Sequence, residues 1–218
     1  MTPDVKLYRN FREAGKRLGN EIMRLIPSWI VKAEAKNLGM VAKGVLVFED
    51  EDEMSVLLDR IVFDVPSGGK TIIAQYIKSK AQEELTDLEK ELLSGMLRAW
   101  FSLFEVVSVY SRFSSLKLRD LLNPREEIRL IDLGISQTAE PGYLLATRLI
   151  PIRDWHMTSG IGFPFQPALK EQLLQGLKRP RLSSKDKRKF RIVAPQDYSR
   201  YFYTRFRNWS MVKVEYQD

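Results

Sequence analysis

The sequence predicts a mixed α+β fold: an N-terminal helical region, then a small antiparallel, barrel-like β module, then a basic C-terminal segment. Three observations carry this reading. In the first hundred residues apolar side chains recur every three or four positions. After Leu103 they give way to short runs rich in Val, Ile, Leu and Tyr, separated by turn residues. The last quarter of the chain holds the whole excess of positive charge. The boundaries fall at residues 1–103, 104–164 and 165–218. With 218 residues, 44% hydrophobic and 29% charged, the chain can bury a core and is not compositionally disordered.

The helical region opens with Leu7, Phe11, Ala14, Leu18, Ile22 and Leu25, one stripe of an amphipathic helix that Pro27 ends. A second helix is predicted from Ser28 to Asn37, with Gly39 as its stop. Met40 to Phe48 is rich in Val and reads as a strand leading into the acidic block Glu49 to Glu53. Glu51 to Phe63 reads as a helix, because its acids lie at the dipole's positive end and its apolar residues follow helical spacing. Pro66 to Gly69 is a turn, and Thr71 to Ile77 begins the next helix. Thr86-Asp87-Leu88-Glu89 has the form of a capping box, and the helix it opens is expected to run to about Leu103.

The β grammar comprises Phe104–Val109, Leu116–Arg119, Glu127–Leu133 and Tyr143–Ile152, with Trp155–Phe163 as a further short strand. Turn chemistry at Ser114-Ser115, Asn123-Pro124 and Pro141-Gly142 separates these runs. Short strands at close spacing suggest a curled sheet or barrel, since closure hides sheet edges. A short helix at Ala168 to Leu177 leads into the basic stretch.

Composition removes much of the usual enzyme repertoire. Without Cys there is no disulfide framework, thiolate zinc site, iron–sulfur cluster or cysteine nucleophile, and one His cannot build a histidine-rich metal centre. The first ten residues lack a signal-peptide core and no run is long and apolar enough to cross a bilayer, so a cytoplasmic protein without membrane contact is expected.

The motif order resembles a known family. Asp59 to Asp64 (DRIVFD), the Gly68-Gly69 turn, Leu85-Thr86 with Glu89 and Leu92-Leu93, Phe104-Glu105-Val106, Leu118 to Leu122, and Pro141-Gly142 with Leu144-Leu145-Ala146 and Arg148-Leu149 fall in sequence. This is similar to an uncharacterised bacterial region that accompanies the SEC-C zinc motif, the module also found at the tail of the SecA translocation motor. The similarity spans about Asp52 to Phe163. It implies a helical half followed by a β half and assigns no reaction. The zinc module itself needs cysteines, which this chain lacks, so neither zinc nor a SecA-type partner contact carries over.

Candidate sites are few. Ser67 to Thr71 invites a P-loop reading, but a Walker A loop needs Gly six residues before Lys70, where Asp64 stands. His156 has no triad context. The adjacent carboxylates at 51–52, 83–84 and 126–127 diverge on a helix, and nothing in the sequence brings Asp59 and Asp64 together. No catalytic residue, metal ligand or cofactor is assigned.

Charge is more informative. From Phe165 to Asp218 there are 13 Lys or Arg against 5 Asp or Glu, while the first 164 residues carry a net charge of −1. The candidate nucleic-acid contacts are Lys178, Arg179, Arg181, Lys185, Lys187, Arg188, Lys189, Arg191, Arg200 and Arg207. Eight aromatics interleave with these cations from Phe190 onward and could stack on bases, but their spacing equally fits a closing helix that buries them, and burial is the favoured reading. The expected role is therefore binding without catalysis: to nucleic acid, RNA ahead of DNA, or to a ribonucleoprotein or acidic protein surface. The alternative is an adaptor subunit of a larger assembly. An Asp/Glu enzyme using a metal or nucleotide ranks last.

Overall fold

The computed structural model describes residues 2–49, 52–81, 84–124, 127–180 and 190–211. Helix α1 (Pro3–Met23) starts where Thr2 accepts the Val5 N–H at 3.4 Å and Pro3 fills the first turn. Its buried stripe is Val5, Tyr8, Phe11, Ala14, Leu18 and Ile22. The expected stripe was displaced at both ends: Leu7 is only half-buried, and Leu25 lies exposed beyond the helix. Helix α2 (Ser28–Asn37) matches its predicted bounds, and Gly39 follows with a φ of 77°.

The predicted strand Met40–Phe48 is instead a minimal hairpin, β1 (Val41–Ala42) and β2 (Val45–Leu46). Lys43 and Gly44 both take positive φ, which reverses the chain in two residues. Helices α3 (Asp52–Phe63) and α4 (Ile72–Ser79) follow. Helix α5 (Asp87–Leu97) carries the capping box in full, with Thr86 and Glu89 each bonding the other's backbone N–H. It ends six residues earlier than expected. Trp100 to Leu103 are taken into a β ladder, facing Leu149 to Ala146, and tertiary pairing overrides their local helical spacing.

The strands β3 (Trp100–Tyr110), β4 (Ser115–Asp120), β5 (Ile128–Ile131), β6 (Leu144–Ile152) and β7 (Trp155–Phe165) close a barrel in the order β3-β4-β5-β7-β6. All neighbours are antiparallel except β5 and β7, which run parallel where Leu130 meets His156. A four-residue helix, α6 (Ile135–Thr138), joins β5 to β6. Strand β3 serves two partners: its first half pairs with β6 and its second with β4, and a bulge between Val106 and Ser108 re-aims it. Alternation then sorts the side chains. Phe104, Val106, Leu116, Leu118, Leu130, Leu145 and Leu149 form a core within the barrel, leaving a filled interior rather than a channel.

The outward faces of β3, β6 and β7 form a second core with the helices, where Trp155 meets Tyr8 and Phe11 at ring distances of 6.4 and 6.1 Å. The helix-to-barrel approach is close. A Cβ at Gly95 of α5 would stand 2.5 Å from the Pro151 carbonyl oxygen of β6.

Through this interface runs a buried ionic network. Arg148 of β6 donates to Asp59 of α3 at 3.0 Å and to Asp64 at 2.7 Å, with its guanidinium 4.6 Å from the Phe63 ring centre. Directly after Asp59 on α3, Arg60 pairs with Glu34 of α2, donates to Asp197 at 3.2 Å and to the Gln196 carbonyl at 2.9 Å, and meets Ser199 at 3.2 Å. Ser199 in turn donates to Asp64 at 2.6 Å. Burial holds the Asp64 carboxyl above its ordinary range, opposed by the Arg148 charge. Removing one partner of such a cluster leaves an uncompensated buried charge. Arg148→Met should therefore cost about 3–5 kcal/mol in urea unfolding, and adding Asp59→Asn and Asp64→Asn should restore part of that loss. Because the folded-state pKa of Asp64 is raised, its contribution is largest at low pH and is lost as pH rises through that pKa. The stability of wild type relative to Asp64→Asn should accordingly increase as pH falls from neutral toward the carboxylate range.

Candidate nucleic-acid interface

The basic segment grows out of the body on helix α7 (Lys170–Gly176), whose Lys170 holds Glu105 of β3 at 2.9 Å. It continues into a two-stranded ribbon of β8 (Lys178–Pro180) and β9 (Phe190–Ile192). The ribbon is closed at its base by the Val193 N–H donating to the Leu177 carbonyl at 2.9 Å. The stretch expected to be extended is thus rooted in the fold at both ends. Lys178 is exposed on β8, and Arg179 and Arg191 occupy facing positions of the ribbon. Arg181, Lys185, Lys187, Arg188 and Lys189 lie outside the described residues.

After the ribbon comes helix α8 (Tyr198–Met211), laid against α3 and the β3-β6-β7 face of the barrel. Those of its aromatics whose side chains are described are packed, as the spacing favoured, while the side chains of Phe190, Trp209 and Tyr216 lie outside the described residues. Tyr201, Phe202 and Tyr203 are buried, and Phe206 is half-buried against Phe163 and Phe165 at 5.5 and 6.0 Å. Tyr203 follows Phe202 directly and so points about 100° away from it around the helix. Its burial follows from a partner no sequence pattern reveals, since its hydroxyl donates to the buried carboxylate of Glu53. Desolvation and that carboxylate both push the Tyr203 phenol upward.

The two candidate arginines of α8, Arg200 and Arg207, both have carboxylate partners. Arg200 pairs with Asp197 at 3.2 Å, both side chains half-buried at the start of α8. Arg207 pairs with Glu49, lies 3.5 Å from Glu53 and donates to the Gly39 carbonyl at 3.2 Å. Its charge is balanced inside the fold by the very acidic block that the sequence left without a partner. The barrel presents a further group of cations that the sequence reading did not single out: Arg112 in the β3–β4 turn, Lys117 and Arg119 on β4, and Arg129 on β5. The signal was present in Leu116-Lys117-Leu118-Arg119, whose strict alternation turns both cations away from the core.

The remaining sequence candidates resolve into structural roles. Ser67 to Lys70 is a tight turn closed by a backbone bridge, and Gln75 caps it by donating to the Ser67 carbonyl at 2.7 Å. His156 sits with Nδ1 at 3.3 Å from the Arg129 carbonyl oxygen and its ring edge-on to Trp100 at 5.4 Å. Asp59 and Asp64 do come together, but around Arg148 rather than a metal. Among the described residues no group of three or more His, Cys, Asp and Glu side chains is placed to hold a metal ion.

A cleft of about 1350 Å³ runs beside β7 between α1, α3, α6 and α8. At one end Arg12 donates to Thr158 at 2.7 Å and to Asp132 at 3.3 Å. Thr158 in turn donates to Asp132 at 3.1 Å, so these polar groups satisfy one another. Because Arg207 is already paired, Arg207→Gln should lower thermal stability while leaving the affinity for a polyanion and its salt dependence at wild-type values.

Among the described residues no helix is long and apolar enough to cross a membrane. No curated protein and no solved structure matches the chain. A family model does match, over residues 2–200, which takes in the helices, the whole barrel and the start of α8. That match says nothing of the SEC-C-associated resemblance. The chain belongs to DUF7986, a family of unknown function.

Proposed function

We propose that this protein binds without catalysing, associating with nucleic acid, RNA ahead of DNA, or with a ribonucleoprotein, through its basic C-terminal segment in the cytoplasm. The observation that carries the reading is the placement of charge. Nearly all the excess falls between Lys178 and Arg191, a stretch whose two ends pair with each other in the ribbon. Clustered Lys and Arg neutralise phosphates and release counterions, which gives affinity with little sequence preference. The contact set centres on the ribbon and the residues it encloses, since Arg207 is engaged elsewhere. A five-stranded Greek-key barrel is also the scaffold that OB-type modules use for oligonucleotides, an analogy of fold that assigns no role by itself.

A protein-adaptor role is the second reading, favoured by one feature. Met23, Leu25 and Trp29 stand exposed together at the α1–α2 corner, Trp29 at 64%. Exposed apolar groups of this kind mark protein contacts more often than nucleic-acid ones. Binding to labelled RNA should weaken steeply with salt, and neutralising Lys185, Lys187, Arg188 and Lys189 together should flatten log K against log salt by about three to four charges. Unchanged affinity and slope in that variant would remove the basic segment from the mechanism. Co-purification with one protein that survives nuclease and high salt would favour the adaptor instead.

A further inference from the structure

The charge of the basic segment explains attraction to phosphate but does not itself tell a single strand from a duplex. The barrel has such a means. Strand β3 ends in Tyr110, and the turn that follows, Ser111 to Phe113, returns to β4 through Ser114 in a left-handed conformation with a φ of 50°. This turn holds two aromatic rings out of the core: Tyr110 is 43% exposed and Phe113 is 50% exposed. All other phenylalanines with described side chains are buried or half-buried. Leaving a Phe ring in water forgoes about 1.5–3 kcal/mol of burial.

Cations surround the rings. Arg112 lies between them in sequence and is exposed. Lys117 of β4 faces Arg129 of β5 in register, and Arg119 lies two residues further along the same face. Like charges in directly opposed positions destabilise a sheet. Here each is offset by an acid at the rim: Lys117 by Glu127 at 3.2 Å, Arg119 by Glu105 at 3.2 Å, and Arg129 by Asp4 at 2.6 Å and Asp154 at 3.5 Å. These cations remain 40% to 55% exposed, and ion pairs in water are worth only about 0–1 kcal/mol. Incoming phosphates can therefore exchange with the carboxylates at small cost. The face is also joined to the basic segment, because Glu105 bridges Arg119 to Lys170 at the start of α7.

We propose that the outer β3-β4-β5 face of the barrel is a binding site for single-stranded nucleic acid, with bases stacked on Tyr110 and Phe113 and the backbone tracked by Arg112, Lys117, Arg119 and Arg129. The inference rests on the nucleic-acid reading above and adds the strandedness of the ligand. Unpaired bases offer their faces to aromatic side chains, whereas in a duplex those faces are already stacked on one another.

The test measures affinity for a short oligouridylate and for an RNA duplex of equal length, using wild type, Tyr110→Ala/Phe113→Ala, and the quadruple basic-segment variant, each checked for a wild-type melting transition. Both rings are exposed, so the double variant should fold. It should bind the oligouridylate about tenfold or more weakly per ring removed, with duplex affinity unchanged. Lys117→Gln/Arg119→Gln should reduce the salt slope for the oligouridylate by about two charges. If the double aromatic variant binds the single strand like wild type while the basic-segment variant does not, the stacking site is refuted and the broader reading stands. If wild type binds neither RNA at low salt, both fall.

Discussion

The architecture depends on one constraint, the need to neutralise Arg148 inside the protein. A guanidinium on the helix-facing side of a barrel strand is tolerable only if carboxylates reach it, and Asp59 and Asp64 do so from α3 and its end. The same two acids draw in the next layer. Asp64 holds Ser199, and Arg60, lodged between Glu34 and Asp197, ties α2 and the start of α8 to α3. Barrel, helical region and C-terminal helix are thereby fixed by one set of charges whose geometry admits few alternatives. Apolar contacts supply most of the stabilisation around it, but they are less selective about register.

That constraint bears on function because it decides which cations are available. Four arginines, at 12, 60, 148 and 207, are paired within the body or along its cleft. The cations of the barrel's solvent side are paired more loosely, at 40% to 55% exposure, and stay open to a partner. The acidic block follows the same logic, since its Glu49 and Glu53 hold the middle turns of α8 in place through Arg207 and Tyr203.

Much of the fold was legible in the sequence because it follows from local rules. The capping box at Thr86, the acids opening α3 and the change from helical to alternating patterning near residue 100 each reflect nearest-neighbour physics. Failures arose where long-range pairing, or a local turn the composition hid, decided the outcome. Trp100 to Leu103 have helical neighbours but are claimed by β6, and the Val-rich run after Met40 turns on Lys43-Gly44. The candidate site was legible as charge and not as geometry. Arg200 and Arg207 looked like their neighbours until Asp197, Glu49 and Glu53 were placed beside them, 3 to 158 positions away in sequence. The barrel cations were missed for the opposite reason: they are scattered over a turn and two strands, and only the pairing of β4 with β5 gathers them.

The most direct measurement is photocrosslinking of a thiouridine-containing single-stranded RNA to the intact chain, with the modified peptides mapped by mass spectrometry. Adducts confined to the Lys178–Arg191 segment and to the Tyr110–Arg119 surface are the predicted result. Adducts concentrated on α1 and α2, or crosslinking that persists at high salt with no preference for either region, would contradict the account.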